Sequence, residues 1–442
     1  MAHRFVFSLA FLFSIGLSAI AEDWPQWNGP SRDGSFNLKG KIVFPNDPSP
    51  SWKVDVGLGY AGPVIAGEKL VLTDYRLESG DISNNAGKRD ELSGQERITC
   101  YDRSTGQQIW QHAYDRPYKV SYPSGPRATP TIHRGMVYVL GSEGDLLCLE
   151  MTSGLVVWQT SFTEKFGAQT PLWGHAASPL IYGNSLICMV GGPGSLVVAF
   201  DPRTGKVKWK TLSSENNETG YCPPTIVHAG GAQQLMIWSP TTLYSLNPDD
   251  GSIYWQAAMK PDYGMSILPP VTNGQLLFVS GEGSKSAVFR LSEEQPAAEL
   301  LWRGKTKDSL YLATSNAIYA GQHIYGADIR SGTLICFEAE SGERQWRTAV
   351  PTTGSTRGRG AAHASAFLIR AGDSYLILSE TGDLIHATLS PEAYREISRF
   401  HALEPTSRTM GRDVLWTYPA FDGECIYVRN DKHLVCYHVV SS

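Results

Sequence analysis

The sequence predicts an all-β fold, an eight-bladed β-propeller of four-stranded antiparallel blades that is closed by pairing of the N- and C-terminal strands. Three observations lead to this prediction. One strand–turn–strand motif recurs along the chain, tryptophans recur at a nearly constant spacing, and the last copy of the motif lacks an outer strand that the start of the chain can supply. A repeat of about 40 to 50 residues is typical of propellers and other repeat arrays.

The recurring motif is a short hairpin. An alternating strand is followed by Asp or Glu, then by a Thr-Gly or Ser-Gly turn, and a second strand ends in Trp. Gly supplies the positive φ that such a tight turn requires. Clear copies span residues 100–110, 148–158, 199–209, 245–255 and 336–346, and less regular copies span 289–302 and 386–397. Each copy follows a short segment of small residues and Pro, where one strand begins, and then a second β run. Together with the two strands of the hairpin, this gives four strands per repeat.

The spacing of tryptophans sets the number of blades. Seven of them occupy the equivalent strand: Trp52, Trp110, Trp158, Trp209, Trp255, Trp302 and Trp346. Successive members are 58, 48, 51, 46, 47 and 44 residues apart, and Ile397 follows 51 residues later. The chain ends soon after the strand at 434–437. We therefore expect residues 51–55 to supply the missing outer strand, because ring closure removes free sheet edges.

The first 21 residues have the anatomy of a secretory signal peptide. Arg4 supplies the basic start, residues 5–13 the apolar middle, and Ala19-Ile20-Ala21 the small-residue cleavage site. A membrane anchor is the alternative, but the apolar run is shorter than the roughly 20 residues of a spanning helix. We expect an exported protein, periplasmic or secreted, with a signal peptide at 1–21, an N-terminal arm at 22–50 and the propeller at 51–442.

Composition excludes two classes of partner. The chain has 38 Lys and Arg against 43 Asp and Glu, a net charge of −5. This mild acidity offers no general attraction for nucleic acid or anionic lipid. Because no second apolar run approaches spanning length, we expect no membrane span in the mature chain. We also expect the protein to be a monomer.

The repeated strand, acidic residue, Gly turn and Trp resemble the family of pyrroloquinoline-quinone (PQQ)-like β-propeller repeats, over nearly the whole mature chain. The resemblance implies that the seven repeat tryptophans dock neighbouring blades. The opening segment Asp23–Gly34 is similar to the start of secreted members of this family. We expect this segment to form an arm on the flank of the propeller.

The resemblance implies two different functions. Some members are quinoprotein dehydrogenases that hold PQQ and Ca²⁺ in the channel, with a disulfide between adjacent cysteines against the quinone; others resemble the scaffold subunit of the outer-membrane assembly machine and carry no cofactor. This chain has no adjacent Cys pair and little sequence beyond bare blades. We predict a non-catalytic binding or scaffold module without a cofactor or metal site. A PQQ- and Ca²⁺-dependent alcohol or sugar dehydrogenase is the alternative.

Candidate binding residues lie in the loops that enter the innermost strand of each blade, where a propeller gathers its channel mouth. The set predicted to face a shared cavity is Arg127, His175, Tyr221, Arg357, Arg359, His363 and Arg412. Four guanidinium groups around one mouth favour an envelope protein or an acidic small molecule or glycan as ligand, because Arg binds carboxylates and phosphates bidentately. The alternative is that each Arg pairs with an acidic group or a carbonyl inside the protein.

The seven cysteines do not predict a disulfide framework. Cys100, Cys148, Cys336 and Cys436 share one motif position in different blades, so we expect them on the order of 10 Å apart, beyond the roughly 7 Å that a disulfide permits between Cα atoms. They are expected to be small buried apolar side chains. Pairing of Cys188, Cys222 and Cys425 stays open at this point, and the absence of a CxxC pattern argues against a zinc site.

Overall fold

The computed structural model describes residues 23–213, 218–305 and 308–441; the predicted signal peptide at 1–21 lies outside them. The described chain forms eight four-stranded antiparallel blades, as predicted. Blades 1 to 4 consist of Val64–Ala66, Lys69–Ser79, Asp90–Asp102 and Gln108–Asp115; Thr131–His133, Met136–Leu140, Asp145–Glu150 and Val156–Ser161; Leu180–Tyr182, Ser185–Gly192, Ser195–Phe200 and Val207–Thr211; Thr225–Ala229, Ala232–Trp238, Thr242–Leu246 and Ile253–Ala258.

Blades 5 to 8 continue this pattern to the end of the chain. They consist of Val271–Thr272, Leu276–Gly281, Lys285–Leu291 and Ala298–Arg303; Ala317–Ala320, His323–Asp328, Thr333–Glu338 and Arg344–Thr348; Ala366–Ala371, Ser374–Ser379, Asp383–Leu389 and Tyr394–His401; Ala420–Phe421, Cys425–Arg429, His433–His438 and, from the start of the chain, Trp52–Asp55. Short helices span Phe162–Phe166 and Val350–Thr353, and a 3₁₀ turn spans Asp262–Gly264.

Blade 8 closes the ring. Strand Trp52–Asp55 pairs antiparallel with His433–His438, and Trp52 stands directly opposite Cys436. The predicted closure is therefore confirmed. Because the outer strand of the last blade comes from the start of the chain, both ends of the propeller are held in one sheet.

The turn motif follows from hydrogen bonding and packing. Asp102 accepts hydrogen bonds from the backbone N–H groups of Ser104 and Thr105, at 3.1 and 2.9 Å, which fixes the turn. Gly106 then takes φ +71°, and a Cβ there would lie 2.6 Å from the ring of Trp52 in the preceding blade. Gly is thus required twice, for its backbone conformation and for the close approach of an indole.

The repeat tryptophans dock each blade on the next one. Trp52 Nε1 donates to the carbonyl of Arg103 at 2.9 Å, and Trp110 Nε1 donates to that of Met151 at 3.0 Å. Trp158, Trp302 and Trp346 make the same kind of bond, to Pro202, Ala339 and Ser390. Trp209 Nε1 has no partner in the described chain, and Trp255 Nε1 bonds Gln234 of its own blade.

The hydrophobic core is divided into clusters that lie between neighbouring blades. One cluster joins Val71 and Cys100 of blade 1 to Val137 and Leu149 of blade 2, and similar clusters follow around the ring. The seven cysteines are all free thiols, and those in the motif position are buried in third strands. Each blade is therefore stabilised mainly by its neighbours.

The N-terminal arm lies in the channel, and the predicted position on the flank is wrong. First strands of neighbouring blades contact each other, which makes them the innermost strands. Trp24 bridges to Ile65 in the first strand of blade 1, and Ser35–Phe36 pairs in parallel with Ala366–Ala371, the first strand of blade 7. Innermost strands leave a free hydrogen-bonding edge, and the arm carries apolar rings that can be buried there.

The rest of the arm leads out of the channel to the closing blade. Lys41–Ile42 pairs antiparallel with Val440–Ser441, and the chain then continues into the outer strand of blade 8. No helix in the described ranges is long and apolar enough to cross a membrane.

Candidate functional site

The mouth is the face where the loops into the first strands and the hairpin loops between second and third strands meet. The arm enters from the opposite face. Asp23 accepts a hydrogen bond from the N–H of Gly67, and Phe36 O accepts one from Gly372, both in turns on that opposite face. Between these points the arm rises toward the mouth, where Asn316, just before the first strand of blade 6, donates to Asn28 at 3.0 Å. The channel is therefore filled by the chain itself.

Two hairpins cover part of the mouth. The hairpin of blade 1 is lengthened by residues 78–96, and its Asn84 donates to the carbonyl of Arg408 at 2.8 Å. Arg408 belongs to a second hairpin, Ser407–Thr409 with Arg412–Val414, in the loop into blade 8. The two hairpins thus meet over the side of the mouth formed by blades 1 and 8.

Arg127 uses its guanidinium inside its own loop. Nη1 donates to Gly125 O at 3.2 Å, and Nη2 donates to the carbonyls of Ser121 and Tyr122. The guanidinium carbon lies 5.0 Å from the centre of the Tyr60 ring. Burial lowers the pKa of Arg127. These contacts order the loop, so most donors of this side chain already have acceptors.

His175 and Tyr221 are buried beside the same mouth. His175 is 2 % exposed, its Nε2 has no partner in the described chain, and its ring packs edge-on against Phe162 at 5.4 Å. Burial lowers the pKa of His175 to about 4, so the imidazole is neutral at pH 7. Tyr221 packs edge-on against Trp173 at 5.5 Å, and burial raises its pKa. Both rings build the wall of the mouth.

Arg412 is held by a buried carboxylate. Its Nε and Nη2 donate to the two oxygens of Glu380 at 2.8 and 3.2 Å, and the Glu380 side chain is 2 % exposed. The pair joins the loop into blade 8 to the hairpin of blade 7. His363, in the loop into blade 7, is half-buried with Nε2 3.9 Å from Glu282 Oε2.

Arg357 and Arg359 are exposed, and within the described chain their guanidinium groups make no ion pair. Their loop rests on the hairpin of blade 6, where Gly360 N donates to Ser331 O at 3.0 Å. That contact brings the loop beside Arg330, which is also exposed. The structure therefore gathers Arg357, Arg359, His363 and Arg330 on one part of the mouth, and we call the three arginines the rim cluster.

Three exposed residues of this face are not in the predicted binding set, although the sequence places Tyr263 and Met410 in mouth loops. Arg330 lies in an ordinary hairpin turn, which carries no signal before the fold is known. Tyr263 and Met410 are 82 % and 50 % exposed, at positive φ in the loops into blades 5 and 8. An exposed aromatic ring and an exposed thioether on the same face as exposed guanidinium groups are typical of interaction surfaces.

A separate cavity of about 610 Å³ lies under the long hairpin of blade 1. Its charged lining residues are Glu91, Arg116, Lys119, Glu143 and Glu164. Arg116 pairs with Asp145 at 2.6 Å, and burial raises the pKa of Asp145 to about 6. Because three acidic and two basic side chains line this cavity, it has no single charge that would select a ligand.

The residues of the channel do not fit PQQ and Ca²⁺. The arm occupies the space between the first strands, and in the described ranges no group of three or more His, Cys, Asp or Glu is placed to hold a metal ion. The sequence has no adjacent Cys pair to contact a quinone face.

The characterised proteins that match this chain by sequence carry the names of quinone or quinoprotein alcohol dehydrogenases. The dehydrogenase subunit of alcohol dehydrogenase (quinone) from Komagataeibacter europaeus is 26% identical over 349 residues, which cover 76% of this chain and 41% of that protein. Quinoprotein alcohol dehydrogenase PedH from Pseudomonas putida is 29% identical over 140 residues, which cover 30% of this chain and 23% of PedH. The chain spans less than half the length of these relatives.

The solved structures that resemble this chain include two kinds of natural protein. BamB from Moraxella catarrhalis superposes with a TM-score of 0.57 at 13% identity, covering 89% of this chain and 100% of that one. Quinohemoprotein alcohol dehydrogenase from Comamonas testosteroni gives 0.59 at 13% identity, covering 96% and 81%. At this identity the likeness shows the fold alone. The profile of the PQQ-repeat family described as outer membrane protein assembly factor BamB matches residues 94–348, more than half of the chain, and the chain belongs to this family.

Proposed function

We propose that this protein is an exported, monomeric, non-catalytic propeller that binds an acidic surface of an envelope protein through the rim cluster at its mouth. The observation that carries the proposal is the arm in the channel. A channel filled by the protein's own chain leaves the mouth face as the surface on which the fold can present varied side chains to a partner.

The charge and exposure of the mouth support an acidic macromolecule as the partner. Arg330, Arg357 and Arg359 are exposed on adjacent loops of a protein whose net charge is negative. Guanidinium groups without internal carboxylate partners bind carboxylates bidentately. Tyr263 and Met410 add exposed apolar area on the same face. A broad exposed surface of this kind suits a protein better than a small molecule.

The test replaces the rim cluster. The variant Arg330→Ala/Arg357→Ala/Arg359→Ala is expected to bind a fluorescent polyglutamate peptide at least about tenfold more weakly by anisotropy, since each lost charged contact costs about 1 kcal/mol or more. The matched control is Arg134→Ala/Arg203→Ala/Lys206→Ala, which removes three exposed positive charges from the opposite face. Equal weakening by both variants would mean that net charge alone matters. Cross-linking in envelope extract with the same pair then identifies the partner.

The names of the sequence relatives support a second candidate, a PQQ- and Ca²⁺-dependent alcohol dehydrogenase. This candidate predicts that wild-type protein mixed with PQQ and Ca²⁺ retains a quinone absorbance through gel filtration and oxidises an alcohol with an artificial dye. We expect neither signal, because the arm and the quinone would need the same space. Retention of PQQ with dye-linked oxidation would overturn the non-catalytic proposal.

A further inference from the structure

Arg32 lies at the apex of the arm, inside the channel, and is 6 % exposed. Its Nη1 donates to Gln26 Oε1 at 3.2 Å and to Pro179 O at 3.0 Å, and its Nη2 donates to Ser178 O at 3.1 Å. A guanidinium has five N–H donors. Nε has no partner in the described chain. Nη2 carries two hydrogens but makes one bond, so one of these hydrogens also lacks an acceptor. Two donors of Arg32 are therefore open, the N–H of Nε and one N–H of Nη2.

The charge of Arg32 is also without a carboxylate partner among the described residues. Arg32 forms no salt bridge there, and the titratable group that acts on it is the buried thiol of Cys222, which is neutral at pH 7. Burial lowers the pKa of Arg32 to about 10, so the guanidinium stays charged at neutral pH. Trp27 lies against it, with its ring centre 5.7 Å from the guanidinium carbon. A buried charge is costly unless an opposite charge or a full set of hydrogen bonds compensates it.

Arg429 provides an internal comparison. It is fully buried, and its Nε, Nη1 and Nη2 each donate to a backbone carbonyl, those of Asn430, Thr73 and Gly57. Asp74 and Asp431 also lie close enough to act on its pKa. Every nitrogen of Arg429 therefore has an acceptor and two carboxylates act on its charge, whereas Arg32 Nε has no acceptor and no carboxylate of the described chain acts on Arg32.

We propose that the open N–H donors of Arg32 bind a small monovalent anion inside the channel, a carboxylate such as acetate or a halide. Two adjacent guanidinium donors match the two oxygens of a carboxylate, and they also hold a halide. This site is separate from the exposed rim cluster and does not depend on the function proposed for it.

The direct test uses wild-type crystals soaked in sodium bromide or in sodium acetate. We expect an anomalous bromide peak at hydrogen-bond distance from Arg32 Nε. In the acetate soak we expect planar density on the same donors, and the relative occupancy of the two soaks distinguishes a halide site from a carboxylate site. A water molecule at Nε in both soaks would overturn the proposal.

A solution test measures the thermal midpoint of wild-type protein as sodium bromide or sodium acetate rises from about 1 to about 100 mM, with Arg32→Met in the same buffers as the control for ionic strength. An anion bound only by the folded state raises the midpoint. We expect this rise to disappear in Arg32→Met and to persist in Arg429→Met, which removes a buried guanidinium whose three nitrogens each have an acceptor. If Arg429→Met does not fold, Arg127→Met takes its place. A rise of equal size in wild type and Arg32→Met would also overturn the proposal.

Discussion

At the scale of single residues, the contact between an indole and a glycine is the unit that joins the blades. The sequence motif predicts the turn, since Asp and Gly have known roles in turns. The motif does not reveal that Gly154 lies under Trp110 of the preceding blade, at 2.5 Å from a Cβ placed there. This contact depends on how two blades are arranged in space, so spacing along the chain carries no sign of it.

Gly154→Ala is expected to destabilise the protein by about 2 to 4 kcal/mol. Its φ of +72° is unfavourable for Ala, and the new methyl group would overlap the Trp110 ring. Gly183→Ala is the control, because Gly183 has φ +55° with nothing within 4 Å. Thermal unfolding of both variants should show a loss at least twice as large for Gly154→Ala. Equal losses would assign the whole effect to backbone conformation.

His175 predicts a pH dependence of stability. Burial lowers its pKa from the usual 6.5 to about 4. Between these pH values the unfolded chain binds a proton that the folded protein excludes, so the free energy of unfolding falls as pH decreases from 6.5 to 4. The fall due to this residue is up to about 3 kcal/mol.

Denaturant unfolding across that pH range should give a flatter profile for His175→Gln than for wild type. The readout is the slope of the free energy of unfolding against pH. The absolute value is not used, because the substitution also changes stability at pH 7. His228→Asn, at an exposed position on a blade, should keep the wild-type slope. A His175→Gln profile parallel to wild type would assign the acid sensitivity to other groups.

At the scale of elements, the arm is the part that sequence reasoning placed wrongly. The blades could be predicted because each repeats a pattern, and their number followed from the Trp spacing. The arm occurs once and has no period. Its partners are the free edges of several first strands, which exist only after the ring has formed. The candidate site was limited in the same way, since loop membership predicts a shared face but not which arginines, such as Arg412, have an internal carboxylate.

Trp27→Ala is expected to cost about 3 to 5 kcal/mol, since Trp27 is 6 % exposed and packs edge-on against Tyr418 at 5.4 Å. Tyr263→Ala removes an exposed ring from the mouth and should stay within about 0.5 kcal/mol of wild type. Differential scanning calorimetry measures the thermal midpoint of both variants and of the wild type. A Trp27→Ala midpoint equal to that of wild type would show that the arm does not stabilise the channel.

At the scale of the whole molecule, closure distributes stability around the ring. The large hydrophobic clusters each join neighbouring blades, and the last joint is made by strand Trp52–Asp55 against His433–His438. The prediction of this joint from sequence was correct because the last repeat lacked one strand and the N-terminal region had one to spare. Loss of the joint therefore affects both blades that flank it.

A chain ending at Asn430 lacks strand His433–His438, and we expect it to lose the single cooperative unfolding transition, with rapid proteolysis at 25 °C. A chain ending at Val440 keeps that strand and should unfold as one unit. Circular dichroism during heating and limited proteolysis distinguish the two. Cooperative unfolding of the shorter chain near the wild-type midpoint would mean that the ring does not need its closing strand.

The arm also constrains the order of folding. Asn28 bonds a residue 288 positions later in the chain, and the carbonyl of Gly57 accepts a hydrogen bond from Arg429, 372 positions later. Contacts of such long range form slowly, because a large loop must close before they can be made. The segment that contains Asn28 and Gly57 precedes nearly all blade strands along the chain, yet it is among the last to reach its final position, because these two contacts need residues of blades 6 and 8, which are synthesised later.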